Sequence, residues 1–394
     1  MVNRPLHAVM GLAPAQLTAL LSEALEGRGP ALLPIDPATP PPRLRALLAA
    51  LRPHALRTPE GTTSLPDPAA TGEDTAVAIA TSGSTGTPKG VELSAAALLA
   101  SAHASVERMG AGPGDAWLCV LPTSYIAGLQ VIVRALATGS EPVFLPFDTG
   151  SAMAAAEEHR PHVSLVPTQL RRLLDAGADL SRFATIVLGG AAAEPRLLAR
   201  AHTAGGRVLT TYGMSETSGG CVYDGVPLKG VEAGVDGDGR ILLSGPVLFS
   251  GYRLDPERTR EHLTPSASGH PVFRTGDLGR LGPDGRLYVR GRADDLINTG
   301  GHKIVPAEVA ALVGELASVA DAVVVGRPDA EWGHRVTAVV VAADPAHPPT
   351  LAEVRDRVRA DLPAYAAPRE LEVRDAIPLL ASGKPDLAAL RRPA

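Results

Sequence analysis

Residues 81–90 read TSGSTGTPKG, ten positions with three glycines, five hydroxyl side chains and one lysine. This stretch has little to bury and much to donate. Its glycines allow close backbone approach to a ligand. Thr81, Ser82, Ser84 and Thr85 offer hydroxyls, and successive N–H groups around Gly83 and Gly86 can form an anion-binding nest. Lys89 adds a cation. The apolar run at 75–80 reads as a buried strand, and the segment after the loop as a helix capped by Ser94. Strand, hydroxyl-rich loop and helix together suit a nucleotide phosphate. A Walker loop needs its lysine followed by a hydroxyl residue, whereas Gly90 follows Lys89 here. An unliganded Gly/Ser turn is the other alternative, but the composition of the loop favours a phosphate loop of a different type.

Four further segments could carry chemistry. TYGMSETSGG at 211–220 places Glu216 at the C-terminal end of an expected strand, where open α/β sheets bind ligands. FRTGDL contains Asp277, which suits ribose hydroxyls or a local turn equally well. GRADDLINTGGHK is polar and glycine-bearing, as a linker between domains should be. Lys384, in the turn ASGKPD near the end of the sequence, reads by itself as a solvated lysine.

The elements that must position these residues fall into three textures. From 75 to about 220, short apolar strands alternate with helical segments, which argues for βα units and largely parallel sheets. From about 221 to 290, short strands are separated by turns such as DGDG and PDGR, a small antiparallel unit. Beyond Arg292 follows an α+β unit of about 100 residues. Residues 1–70 read as Pro-rich and irregular after a short helix, with a strand, turn and helix at 31–56. The expected fold is α/β. A large domain, 1–293, has parallel-sheet βα layers plus the small antiparallel β unit, and a small mobile α+β domain, 294–394, follows it.

Composition narrows the function classes. The 394 residues carry a net charge of −5, which argues against nonspecific nucleic-acid binding and a polybasic membrane anchor. The two cysteines, Cys119 and Cys221, are too far apart for a zinc-ligand pair and too few for a disulfide scaffold. No apolar run is long enough to span a membrane, and no secretory leader is evident. A reducing cytoplasm is the expected location, with self-association left open.

The motifs, in their order over about 75–390, resemble the AMP-forming adenylate ligases: acyl-CoA synthetases, luciferases and carrier-loading adenylation domains. The resemblance implies ATP, Mg2+ and coenzyme A as co-substrates and cofactor. It gives ATP binding to Thr81, Ser82, Gly83, Ser84, Thr85, Gly86 and Lys89, and to Gly190, Thr211, Tyr212, Gly213 and Ser215. Asp277 and Arg292 would hold ribose and phosphate, and Glu216 the Mg2+. Lys384 would bridge the acid and the α-phosphate. Asp294 falls at the hinge, and Gly300 and Gly301 resemble the loop that meets the pantetheine arm. His302 and Lys303 stand where many relatives have Glu-Asn.

Tyr125, Thr123, Gly189, Ser218 and Gly219 would line the acid pocket, with Tyr125 in place of a common histidine. No arginine near these motifs is an evident partner for a second carboxylate; Arg134 is one candidate, but it reads more readily as a solvated helix residue. Within the family, LPTSYIAGLQ and SGGCVYDGVPL look closest to the short actinobacterial o-succinylbenzoate–CoA ligases. That branch implies an acid–thiol ligase acting through an acyl-adenylate. The alternatives are another aryl or short-chain acid, or loading of a carrier protein.

Overall fold

A computed structural model describes residues 3–82, 88–266, 269–380 and 383–392. The chain divides into two compact units. One comprises Met1–Ala193, Leu197–Ala233 and Leu242–Arg274, the other Glu194–Arg196, Gly234–Ile241 and Thr275–Ala394.

The first unit contains two seven-stranded sheets. One is ordered Gly251–Tyr252, Pro88–Ser94, Thr75–Ser82, Ala31–Ile35, Leu6–Met10, Ala55–Thr58, Gly61–Ser64. The strand and helix expected within 31–56 are present as Ala31–Ile35 and Pro41–Leu51, but the rest of the N-terminal region is not irregular: three further strands, Leu6–Met10, Ala55–Thr58 and Gly61–Ser64, lie within 1–70. The prolines of this region mislead because Pro14 and Pro41 open helices, where a missing N–H is no loss. The second sheet is ordered Val226–Pro227, Gly219–Tyr223, Val208–Met214, Thr185–Leu188, His162–Leu165, Trp117–Cys119, Pro142–Phe144. From Val208–Met214 to Pro142–Phe144 all neighbours are parallel, as the βα alternation predicts.

Helix Ala95–Met109 starts where expected. The Ser94 hydroxyl accepts the Ala97 N–H at 3.1 Å, and left-handed Gly110 ends the helix. It packs on helix Ile126–Ala137, which contributes the fully buried Leu129 and Ile132. Each such side chain stabilises the fold by roughly 1.5–3 kcal/mol.

In the second unit, strands His302–Ile304, Ile297–Thr299, Gly333–Ala342 and Val319–Asp329 form an antiparallel sheet, and Glu370–Val373 adds in parallel to Gly333–Ala342. Helices Pro306–Gly314 and Leu351–Asp361 contribute Val309, Val313, Val354 and Val358 to the core on one face of the sheet. A smaller cluster of Val325, Val339, Ile377 and Leu390 ties the end of the chain to this unit.

Candidate active site

The hydroxyl-rich loop departs from the expected strand–loop–helix order. Thr75–Ser82 and Pro88–Ser94 pair antiparallel, with Thr81 opposite Lys89, so a second strand comes between the first strand and the helix. The physical reason is legible in KGVEL: Val91 and Leu93 are fully buried while Glu92 between them is only partly so, a strand alternation. Gly83, Ser84, Thr85, Gly86 and the side chain of Ser82 lie outside the described residues.

Lys89 on the second hairpin strand joins a short chain of side chains. Its Nζ lies 5.7 Å from the centre of the Tyr252 ring, a cation–π approach. The Tyr252 hydroxyl donates to Glu216 Oε1 at 2.9 Å. Three residues from distant parts of the sequence thus bring the hairpin's cation and the expected metal-binding carboxylate together.

Glu216 is on a 3-10 turn, Ser215–Thr217, directly after strand Val208–Met214. Its neighbours hold it rigidly. Ser215, Thr217 and Ser218 are buried. The Thr217 hydroxyl donates to the Gly219 carbonyl at 2.7 Å and accepts the Met214 N–H at 2.9 Å. Gly213 lies inside the strand, where a Cβ would stand 2.1 Å from the Gly219 carbonyl oxygen. Only glycine permits that pairing. Tyr212 and Thr211 precede it, and the Thr211 hydroxyl donates to the Leu188 carbonyl at 3.3 Å, next to Gly189 and Gly190. Thr211 and the Gly189–Gly190 turn are therefore adjacent.

The expected acid-pocket residues differ in character. Ser218 is fully enclosed and its hydroxyl donates to the Val247 carbonyl at 2.8 Å. Any pocket role for Ser218 and the following buried Gly219 therefore passes through the backbone. Gln130 donates to the Ser218 carbonyl at 2.7 Å and supports this bend from below. Tyr125 precedes helix Ile126–Ala137 and is half-buried. Burial, reinforced by the Asp36 carboxylate and opposed by Arg43, raises its phenol above the ordinary value. It stays a hydrogen-bond donor.

Arg134 corrects the sequence reading. It is 3% exposed, and its guanidinium donates to the hydroxyls of Ser105 at 2.9 Å, Ser164 at 3.3 Å and Tyr223 at 3.2 Å. It braces the helix against two strands and another helix instead of being solvated.

In the second unit, strand Val272–Leu281 pairs with Leu287–Arg292 so that Asp277 faces Arg292 directly. The Arg292 guanidinium lies 3.7 Å from the Asp277 carboxylate and 3.6 Å from that of Asp294. The expected ribose, phosphate and hinge residues are therefore one ionic group. Gly300 and Gly301 both have left-handed backbones at the turn before His302–Ile304. A Cβ on Gly300 would stand 2.7 Å from the Trp332 ring. His302 stacks on Tyr365 with ring centres 4.0 Å apart, and the Arg369 guanidinium lies 3.9 Å from the centre of the Trp332 ring. Lys384 is exposed on a tight turn closed by the Leu380 N–H donating to the Lys384 carbonyl at 2.8 Å.

Two family patterns match the sequence. Residues 48–253 match the AMP-binding enzyme family, and residues 308–384 match the AMP-binding enzyme C-terminal domain, a match that ends at Lys384. The chain belongs to the AMP-binding enzyme family. It is 41% identical, over 99% of its own length and 98% of the relative's, to a probable 2-succinylbenzoate–CoA ligase of Mycobacterium tuberculosis. It is similar in structure to the o-succinylbenzoate CoA synthetase of Bacillus subtilis in complex with the acyl-adenylate intermediate OSB-AMP. That match has a TM-score of 0.83 and 26% identity, and covers 100% of this chain and 89% of the other. The same Bacillus enzyme in complex with ATP and magnesium ion matches at a TM-score of 0.82 and 25% identity, over 99% and 90% of the two chains.

For an AMP-binding enzyme the metal question has a simple answer. No cluster of three or more His, Cys, Asp or Glu suited to a metal exists among the described residues. Glu216 offers a single carboxylate, whose Oε1 accepts a hydrogen bond from Tyr252. One carboxylate completed by substrate phosphates is the usual Mg2+ arrangement. Sequence reasoning missed Tyr252. The GYR segment that carries it holds no composition signal, and only its pairing with Glu92 and Val91 brings it beside Glu216. Burial pushes the thiols of both Cys119 and Cys221 up to about 12, so neither offers a nucleophile. No helix among the described residues is long and apolar enough to cross a membrane.

Proposed function

We propose that this chain ligates 2-succinylbenzoate to coenzyme A through an acyl-adenylate. The observation that carries the reading is the Lys89–Tyr252–Glu216 chain, which gathers a cation and a metal-competent carboxylate beside the hydroxyl-rich hairpin. The relatives named above support the choice of acid.

In the first half-reaction an oxygen of the aliphatic carboxylate attacks the α-phosphorus of ATP. The bond to the bridging oxygen breaks, and pyrophosphate leaves with its electron pair. The nucleophile is already an anion, so no base is needed, and the protein's work is alignment and neutralisation of charge. Glu216 would hold Mg2+, which supplies positive charge to the phosphates. Lys89 and the hairpin backbone bind the phosphates, Asp277 the ribose hydroxyls, and Arg292 the ribose and phosphate. Lys384 places its ammonium between the carboxylate and the α-phosphate. In the second half-reaction the coenzyme A thiolate attacks the acyl carbon, AMP leaves, and Gly300 and Gly301 approach the pantetheine arm. We assign the functional boundary to 293/294, with Asp294 as the hinge that exchanges Lys384 for the glycine turn. The two free thiols suit a reducing cytoplasm.

Mass-spectrometric identification of the acyl-CoA formed from a mixture of aryl and short-chain acids, with pyrophosphate release followed in parallel, tests the reading. 2-Succinylbenzoyl-CoA is expected. Turnover of a different acid with none of 2-succinylbenzoate would reject the substrate, and transfer to a phosphopantetheinyl carrier but not to free coenzyme A would reject the acceptor.

A further inference from the structure

We propose that Arg327 is a positioning residue for Lys384, clamping both legs of the turn that carries it; this rests on the adenylation role given to Lys384 above. Arg327 lies in strand Val319–Asp329 and is 1% exposed, one of the largest fully buried side chains in the molecule. Its side chain reaches to both sides of the Lys384 turn. On the leg entering the turn, Nη1 donates to Glu370 at 2.8 Å and Nη2 to Glu372, both in strand Glu370–Val373. On the returning leg, Nε and Nη2 donate to the Leu390 carbonyl at 3.3 and 3.0 Å, and Nη2 also lies 3.4 Å from the Arg392 carbonyl.

The Lys384 turn needs such a clamp. The buried apolar cluster at this end of the chain is small: Ile377 and Leu390 packed on Val325 and Val339. The helix after the turn, Leu387–Leu390, is one turn long and cannot hold itself. The backbone bonds at the ends of the turn include local ones, Leu380 N–H to the Lys384 carbonyl and Asp386 N–H to the Pro378 carbonyl, each 2.8 Å. Apolar contact is not directional, whereas a planar guanidinium fixes the carboxylates of one leg and the carbonyls of the other in a single geometry. Glu372 is the counterpart: its burial disfavours the charge, but Arg327 and Arg374 outweigh that and hold the carboxyl below its ordinary value. The glycine turn at 300–301 has none of these bonds to Arg327, so loosening the clamp should be felt at Lys384 first.

The test measures the two half-reactions separately in the full-length enzyme: pyrophosphate release from ATP with 2-succinylbenzoate, and thioester formation from supplied acyl-adenylate and coenzyme A. Arg327→Met is expected to lose about a hundredfold in the first and less than about twofold in the second. Arg327→Lys, which keeps the charge but not the fork, should recover part of the loss and remains informative if the methionine variant does not fold. Hydrogen exchange in Arg327→Lys should accelerate at the Leu380 and Asp386 amides and not in His302–Ile304. Equal loss of both half-reactions, or loss of neither, overturns the clamp. Lys384→Ala serves as the reference. If it spares adenylation, the role of Lys384 itself fails; if it abolishes adenylation while the Arg327 variants do not impair it, only the present inference fails.

Discussion

Glu216 and Lys384 are held in opposite ways. Glu216 sits on a turn flanked by buried Ser215, Thr217 and Ser218, with its own oxygen held by Tyr252. Lys384 is exposed, on a turn with short-range backbone bonds, and on our proposal Arg327 restrains it through the Leu390 carbonyl. In the metal-binding role proposed for it, the Glu216 carboxylate gains from a fixed position. In the adenylation role proposed for it, the Lys384 ammonium serves one half-reaction and gains from an exposed position. The difference teaches where each group's precision is stored: around Glu216 in packing, around Lys384 in a single buried ion network.

Variants can break or sharpen this contrast. Lys384→Ala should reduce pyrophosphate release about a thousandfold, at the upper end of what one preorganised group supplies, while thioester formation from supplied acyl-adenylate persists. Equal loss of both would mean Lys384 is not confined to one step. Glu216→Gln should reduce adenylation about a hundredfold and raise the Mg2+ concentration needed for half-maximal rate; an unchanged Mg2+ titration would remove the metal role. Tyr252→Phe deletes one hydrogen bond to a charged group and should cost about tenfold in adenylation, with a smaller shift in the same titration. If Tyr252→Phe matches wild type, Glu216 is positioned by its turn alone.

The smallest effect concerns stability rather than rate. His162 is 4% exposed, stacks near Trp117 and lies 3.2 Å from the Asp115 carboxylate. Burial depresses its folded pKa below 6.5; Asp115 opposes this, and Arg207 and Arg134 add to it. Between the folded and unfolded values the unfolded chain binds more protons. Stability should therefore be complete above about pH 7 and fall as the pH drops toward the folded value, by at most about 1.4 kcal/mol per pH unit. Urea unfolding from pH 7.5 downward, compared with His162→Gln, measures that slope; the same slope in both would assign it elsewhere.

Much of this architecture is written locally. The strands at 117–119, 142–144, 162–165, 185–188 and 208–214 follow from apolar runs between helical segments, and the Ser94 cap from its own hydroxyl. The hairpin at 75–94 and the strands within 1–70 were harder. Both depend on partners: Pro88–Ser94 is a strand because it pairs with Thr75–Ser82, and Leu6–Met10 is a strand beside Ala31–Ile35 and Ala55–Thr58. The environment of Arg134 was illegible for the same reason. A helix arginine is usually solvated, and this one is buried because Tyr223 meets it from 89 residues away.

By itself the sequence determined which side chains are available for phosphate, ribose, metal and acid, because those roles demand particular chemical groups at motif spacings. It also determined that the C-terminal α+β region has its own core, because the apolar period persists there. Tertiary structure alone decided what holds those groups still. Tyr252 reaches Glu216 across 36 residues, and Arg327 reaches the Leu390 carbonyl across 63. Neither contact leaves a local trace, because a hydrogen bond between distant segments constrains geometry without requiring any pattern in the residues beside it.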